Sequence, residues 1–246
     1  MNVGLIVAAG AGTRMRGKVR KQYLPLAGRP VLSYSLAAFG ACRDIASIIL
    51  VVPAEDLSTV RRDIVQPLRL NMPVDLVPGG QERQHSVYNG LKRVQGDSRM
   101  AVIHDGVRPF IQPEQISACI RKAEQTGACI LGIPALDTLK QVSASGQIEA
   151  TLDRRRIWLA QTPQAFRLEL IKEAHERARQ QGVTETDDAA LVERLGVSVS
   201  ILMGRKENIK ITLPEDLPLA EAVLETIEKE KRHNGVRLAP SAMPPS

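Results

Sequence analysis

The stretch Val3-Gly4-Leu5-Ile6-Val7-Ala8-Ala9-Gly10-Ala11-Gly12-Thr13-Arg14-Met15 decides the fold. An apolar run over residues 3–9 passes straight into a Gly-x-Gly turn. A short run that is apolar at every position reads as a strand buried on both faces. Glycines at its end let the backbone approach a ligand and turn N–H groups toward phosphate oxygens. Two familiar loops are excluded by the residues that follow. A P-loop needs Gly-Lys-Ser/Thr, whereas Gly17-Lys18 is followed by Val19. A dinucleotide fingerprint needs a third glycine, where Met15 stands. It also needs an acidic residue ~20 positions on, and no carboxylate occurs between Met1 and Asp44.

Further apolar runs at residues 47–52, 74–77, 101–104 and 130–133 read as buried strands. Helical spacing separates them, with Val87, Leu91 and Val94 in one segment and Ile116, Cys119, Ile120 and Ala123 in another. This alternation predicts an α/β fold: a single Rossmann-like three-layer domain with a mostly parallel sheet, over residues 1–231. Ligands of such sheets sit at the carboxyl ends of the strands. The alternation breaks after Pro134. Residues 138–142 and 148–152, separated by Ser143-Ala144-Ser145-Gly146, read as a β-hairpin, giving a projecting arm over about residues 135–156. An isolated hairpin is marginally stable, so the arm is expected to pack on a second subunit; the alternative is that it folds back on its own sheet. Helices are expected near residues 168–181 and 188–195, a strand at 198–203, and a last helix opened by Pro214. Residues 232–246 are expected to be a disordered tail.

With 246 residues and 43% apolar content the chain can bury a sizeable core, but only 3% of it is aromatic. That scarcity argues against single-stranded nucleic acid, which is usually gripped by stacking. The net charge of +6 suits an acidic partner, and phosphorylated small molecules are one such class. Cys42, Cys119 and Cys129 lack metal-ligand spacing and read as reduced thiols of a cytoplasmic protein. No run approaches the ~20 apolar residues of a membrane span.

Arg14, Arg16, Lys18, Arg20 and Lys21 place five cations within eight residues, just after the glycine turn. Such a run fits a solvated face, a nucleic-acid patch or a clamp on a triphosphate, whose transition-state charge fixed cations stabilise. The loop with Lys21-Gln22-Tyr23-Leu24 resembles the opening of the 2-C-methyl-D-erythritol 4-phosphate cytidylyltransferase family. So, in order, do Gly79-Gly80-Gln81-Glu82-Arg83-Gln84-His85-Ser86-Val87, His104-Asp105-Gly106-Val107-Arg108-Pro109, Asp137-Thr138-Leu139-Lys140 with Asp153-Arg154, Gln161-Thr162-Pro163-Gln164 and Glu207-Asn208-Ile209-Lys210. The similarity covers roughly residues 1–228.

The resemblance implies cytidylyl transfer from CTP to a small polyol phosphate, with Mg²⁺ bound mainly through the CTP phosphates. It implies that Arg14 and Lys21 stabilise the transition state. Ala8, Ala9, Gly10, Gly80, Gln81, Ser86 and Gly106 would hold the cytidine. Asp105 would lie by the ribose, the sugar phosphate or the metal, and Arg108, Thr162 and Lys210 would line the acceptor site. Thr138 and Arg154 would reach the active site of a neighbouring subunit, making the protein a homodimer. Metal ligands are not specified. His104 is read as structural, Arg155 and Arg156 as solvated, and Glu185-Thr186-Asp187-Asp188 as a helix start.

Two positions depart from the family pattern. Arg20 stands where proline is usual, which predicts a more mobile loop before CTP binds. Gln81 replaces a common acidic residue. A phosphate monoester is largely dianionic at neutral pH, its second pKa being near 6, so in-line attack on CTP needs no general base and no covalent intermediate. The rival acceptor is ribitol 5-phosphate. A rival of another class is a non-catalytic nucleic-acid-binding protein using the basic run.

Overall fold

The computed structural model describes residues 1–10 and 19–233; Arg14, the cations Arg16 and Lys18, and residues 234–246 lie outside them. In chain order the strands are β1 (Asn2–Val7), β2 (Pro25–Leu26), β3 (Arg29–Pro30), β4 (Ser47–Val52), β5 (Val74–Pro78), β6 (Met100–Asp105), β7 (Ala128–Pro134), β8 (Lys140–Val142), β9 (Ile148–Thr151), β10 (Trp158–Arg167) and β11 (Ser200–Met203). The α-helices are α1 (Val31–Ala41), α2 (Leu57–Val60), α3 (Arg83–Arg93), α4 (Pro113–Thr126), α5 (Leu168–Gln181), α6 (Asp188–Glu193) and α7 (Asp216–His233).

Seven strands form one sheet in the order β11-β7-β10-β6-β1-β4-β5. Alternate residues of its strands feed two cores. Ile6, Ile48, Leu50, Val52, Met100 and Val102 pack with α1 and α4. Val3, Leu5, Ile49, Val51, Ala101 and Ile103 pack with α3, α5 and α6. This is the three-layer arrangement expected for a sheet buried on both faces. A third cluster seats Ala220 and Leu224 of α7 on Leu26, Val31, Val107 and Phe110.

The chain leaves β1 toward β4 and β5, then returns to place β6 on the other side of β1. The strand order therefore reverses at β1, and the crevice at its carboxyl end is where such sheets bind ligands. Strand β10 runs antiparallel between β6 and β7, so its first residues, not its last, arrive at that edge. Here the structure goes beyond the sequence pattern, because Pro163 and the flanking glutamines conceal a ten-residue central strand. The ladder shifts register between Gln161 and Gln164, which accommodates the proline.

Other differences are local. Strand β1 stops at Val7, two residues before the apolar run ends, and strand β11 starts at Ser200 rather than 198. Pro214 does not open α7; Asp216 does, with its carboxylate accepting the N–H groups of Thr212 (2.6 Å) and Leu213 (2.8 Å). Helix α7 continues to His233, past the expected start of the tail, with a Glu228–Arg232 pair one turn apart. The hairpin β8–β9 forms its own two-stranded sheet.

His104, fully buried in β6, ties β6 to β10. Its Nε2 lies 3.2 Å from the Arg108 carbonyl, which can only accept, so that nitrogen carries the proton. Nδ1 then accepts from Thr162 Oγ1 at 3.0 Å, and Oγ1 accepts the Asp105 N–H at 3.1 Å. The relay suits a neutral ring. Burial, partly offset by Asp105, lowers the imidazole pKa from 6.5 to about 4.

At Arg20 the backbone φ is −66°, within the range that proline imposes. The side chain reaches Asp56 at 2.9 Å and also pairs with Glu55, in the turn that follows β4. Asp56 accepts the Tyr23 hydroxyl as well, at 2.9 Å. The segment leading back from the glycine loop is thereby clamped to the neighbouring parallel strand's loop.

Two stability predictions follow from these contacts. The unfolded chain takes up the His104 proton at higher pH than the folded one. The stabilisation is therefore complete above about pH 6.5 and is lost as pH falls toward about 4, up to about 3 kcal/mol in all. Asp105 and Asp188, whose carboxyls are held below their ordinary values, lose their contributions only in more acid solution. Urea unfolding between pH 4 and 7 should show the slope in wild type and a weaker one in His104→Asn; equal slopes contradict the assignment. Asp56→Ala should lower stability by about 1–3 kcal/mol, since two hydrogen bonds to a charged acceptor are lost; an unchanged urea midpoint contradicts the clamp.

Candidate active site

Backbone groups of four neighbouring strands, β6, β1, β4 and β5, converge beyond β1. Ala8 N–H bonds the Val51 carbonyl (2.8 Å), Gly79 N–H the Val52 carbonyl (2.8 Å), and Gly106 N–H the Val7 carbonyl (2.9 Å). Gln22 is buried, and its amide donates to the carbonyls of Ala8 (2.7 Å) and Gly10 (3.3 Å). It fastens the start of the glycine loop to the short helical turn Lys21–Tyr23, which carries Lys21. Gly79 must be glycine, because a Cβ there would lie 2.2 Å from the Ala9 Cβ. That closeness keeps the two backbones in contact. Gly80 N–H donates to Ser86 Oγ (3.0 Å), and Ser86 Oγ donates to the Glu82 carbonyl (3.1 Å). Gln81 is exposed beside them. The residues expected to hold the cytidine thus gather at the carboxyl ends of β1, β5 and β6; Arg14, expected at the triphosphate, lies outside the described residues.

Across β6 from this crevice, a cavity of about 220 Å³ is lined by Asp105, Arg108, Thr162 and Lys210, all expected, and also by Arg83 and Gln161. Asp105 is its centre. Oδ1 accepts from Arg83 Nε at 2.8 Å, Oδ2 meets Lys210 Nζ at 2.8 Å, and Arg108 Nε lies 3.8 Å from Oδ2. Burial alone would raise the carboxyl pKa; Arg83, Lys210 and Arg108 outweigh it and hold the group far below the usual carboxylate range. Arg108 is set by Nη1 on the Asn208 carbonyl (2.7 Å), and Asn208 donates to the Thr162 carbonyl (2.9 Å). Lys210 follows from the same segment, which joins the sheet through Ile211 N–H on the Val107 carbonyl (2.9 Å).

Thr138 and Arg154 do not line this cavity. Both are exposed on or beside the arm, where Arg154 donates to the Leu136 carbonyl. Arg155 pairs with Asp153 in solvent, as expected of a solvated residue. Asp187 does cap α6, accepting the Ala190 N–H at 2.9 Å, so the acidic run is a helix start. It is also more, since Asp188 is buried against Arg83 and His175. The sequence motifs assign no role to Arg83. The available signal was its place in the first turn of α3, where the helix dipole disfavours a cation unless an anion is supplied from elsewhere.

The family model of 2-C-methyl-D-erythritol 4-phosphate cytidylyltransferase matches residues 3–226. The enzyme of that name from Syntrophus aciditrophicus is 48% identical over 226 residues, spanning 92% of this chain and 97% of that one. Its counterpart from Pelotomaculum thermopropionicum is 46% identical, spanning 89% and 92%. Among solved structures, the 4-diphosphocytidyl-2C-methyl-D-erythritol synthase of Anaerococcus prevotii superposes with a TM-score of 0.82 at 31% identity, covering 91% of this chain and 95% of that one. The Thermus thermophilus cytidylyltransferase gives 0.74 at 31% identity, covering 92% and 100%. With its glycine loop, its crevice beside β1 and its cationic cavity, the chain belongs to the 2-C-methyl-D-erythritol 4-phosphate cytidylyltransferase family.

Proposed function

We propose that the protein transfers the cytidylyl group of CTP to 2-C-methyl-D-erythritol 4-phosphate, releasing pyrophosphate. The observation that carries this reading is the cavity around Asp105, where Arg108 and Lys210 lie one strand away from the backbone crevice suited to a nucleotide. Two phosphorylated reactants held in adjacent compartments react with a favourable orientation that free solution does not supply.

The acceptor phosphate is its own nucleophile. Lys210 and Arg108 hold it, Arg14 and Lys21 stabilise charge on the α-phosphate as pyrophosphate departs, and Ala8, Ala9, Gly10, Gly80, Gln81, Ser86 and Gly106 seat the cytidine. Among the described residues no group of three or more His, Cys, Asp or Glu side chains converges, and both Asp105 oxygens already face cations. Mg²⁺ suits this site as an ion held mainly by CTP phosphates and water; it supplies positive charge that lowers repulsion between the two anions.

We place Thr138 and Arg154 of one protomer at the acceptor site of the other in a homodimer. Exposed Leu136, Val142, Ile148 and Leu152 on the arm, and exposed Leu159, Ile201 and Met203 at the adjoining sheet margin, support burial of this region against a second copy. Three buried free thiols suit a reducing compartment, the cytoplasm. Among the described residues no helix is long and apolar enough to cross a membrane.

Pyrophosphate release should be measured with four nucleoside triphosphates against methylerythritol phosphate and ribitol 5-phosphate. Turnover should require CTP and favour methylerythritol phosphate; turnover with a purine triphosphate only, or preference for ribitol 5-phosphate, overturns the proposal. Lys21→Ala should lower kcat by about 10²-fold or more, and an unchanged kcat and kcat/KM sinks that role. Arg154→Ala should raise the acceptor KM while leaving the CTP KM in place. A monomer by sedimentation that retains full activity contradicts the shared site.

A further inference from the structure

Arg83 occupies the first position of α3, after Glu82 at the cap. Its side chain spans two carboxylates on different elements: Nε meets Asp105 Oδ1 at 2.8 Å, and Nη1 meets Asp188 Oδ2 at 2.7 Å. Asp188, only 1% exposed, receives His175 Nε2 on its other oxygen at 3.0 Å. The third nitrogen of Arg83, Nη2, is buried without a hydrogen-bond partner. Arg83 also lines the cavity that holds Arg108 and Lys210.

We infer that Arg83 is the positioning residue of the acceptor pocket, holding the Asp105 carboxylate in place so that Lys210 and Arg108 are free to engage the acceptor phosphate. The inference rests on the acceptor site proposed above. Asp105 faces three cations, all of which line the cavity, and two of them, Lys210 and Arg108, have no second carboxylate to hold them when a phosphate dianion competes for them. Drawn toward that dianion, they leave Asp105 as a buried carboxylate beside a second negative group. Such a charge is strongly unfavourable unless one cation stays with it. Arg83 is the cation that cannot follow the phosphate, because Asp188 holds the far side of its guanidinium and His175 holds Asp188. The planar fork of arginine serves two carboxylates in two directions at once, which the single ammonium of lysine does not reproduce.

The competing account is a structural bridge joining α3 to α6, with no bearing on the acceptor. The two separate in a double variant. Arg83→Gln leaves Asp188 buried with only its His175 hydrogen bond, so it should lose both stability and acceptor binding. Arg83→Gln/Asp188→Asn removes that buried charge left without its arginine, so thermal stability should recover, while Asp105 still lacks its anchor.

The experiment is steady-state kinetics with CTP and methylerythritol phosphate, alongside thermal unfolding, for wild type, Arg83→Lys, Arg83→Gln and the double variant. The acceptor KM should rise about tenfold or more in both glutamine variants, with the CTP KM within about twofold of wild type. Arg83→Lys should restore only part of the loss. Should Arg83→Gln fail to fold, the double variant carries the comparison. An acceptor KM that returns to the wild-type value together with stability in the double variant, or that never rises, overturns the inference. Absence of turnover in the wild-type chain refutes the functional proposal instead.

Discussion

A buried carboxylate enclosed by three cations stands at the carboxyl end of β6, and most of the site's geometry answers to it. Asp105 draws Arg83 from α3, Lys210 from the segment after β11, and Arg108 from its own loop. None of these positions is fixed by local propensity. Arg83 even opposes the dipole of its own helix. What holds them is the cost of leaving Asp105 unpaired out of water, which the fold meets with cations from three segments of the chain. A cavity lined by three cations and two carboxylates is the consequence, Asp105 held by the cations and Asp187 by Gln164 and the start of α6.

The sheet supplies the rest. Reversal of strand order at β1 opens a crevice whose walls are backbone, with Gly79 pressed so closely on Ala9 that no side chain fits between them. The antiparallel strand β10 brings Thr162 to the same edge from the opposite direction, where its hydroxyl joins Asp105 N–H to His104 Nδ1. In the proposed reading the nucleotide crevice and the acceptor cavity lie on either side of β6, with Asp105 at its carboxyl end.

How much of this was legible in sequence depends on what encodes each feature. Strand β4 and helix α5 were read with the observed bounds, residues 47–52 and 168–181, because apolar runs and helical periodicity are carried by the residues themselves. Helix α1 was not seen, since Val31, Leu32, Ser33, Ser35, Leu36 and Phe39 are buried on several sides and leave no clean polar face. Strand β10 was hidden by its proline and glutamines, whose burial is decided by tertiary partners. Asp105, Arg108, Thr162 and Lys210 were found through their motifs, and the cavity assembles them. Arg83 was not assigned, because its partner Asp188 is 105 residues away and that pairing is written only in the fold. At Arg20, where the sequence pattern predicts a more mobile loop, the φ of −66° suits proline and the side chain reaches Glu55 and Asp56; the loop itself, residues 11–18, lies outside the described residues.

The central claim is that nucleotide and acceptor occupy separate compartments on either side of β6. Calorimetric titration of CTP with Mg²⁺ into wild type and Lys210→Ala, each paired with a turnover assay, tests it most directly. The account predicts a CTP Kd unchanged within about twofold while acceptor-dependent turnover falls by about tenfold or more, because Lys210 serves the acceptor alone. A parallel loss of CTP affinity in Lys210→Ala would place the triphosphate in the Asp105 cavity and contradict the division.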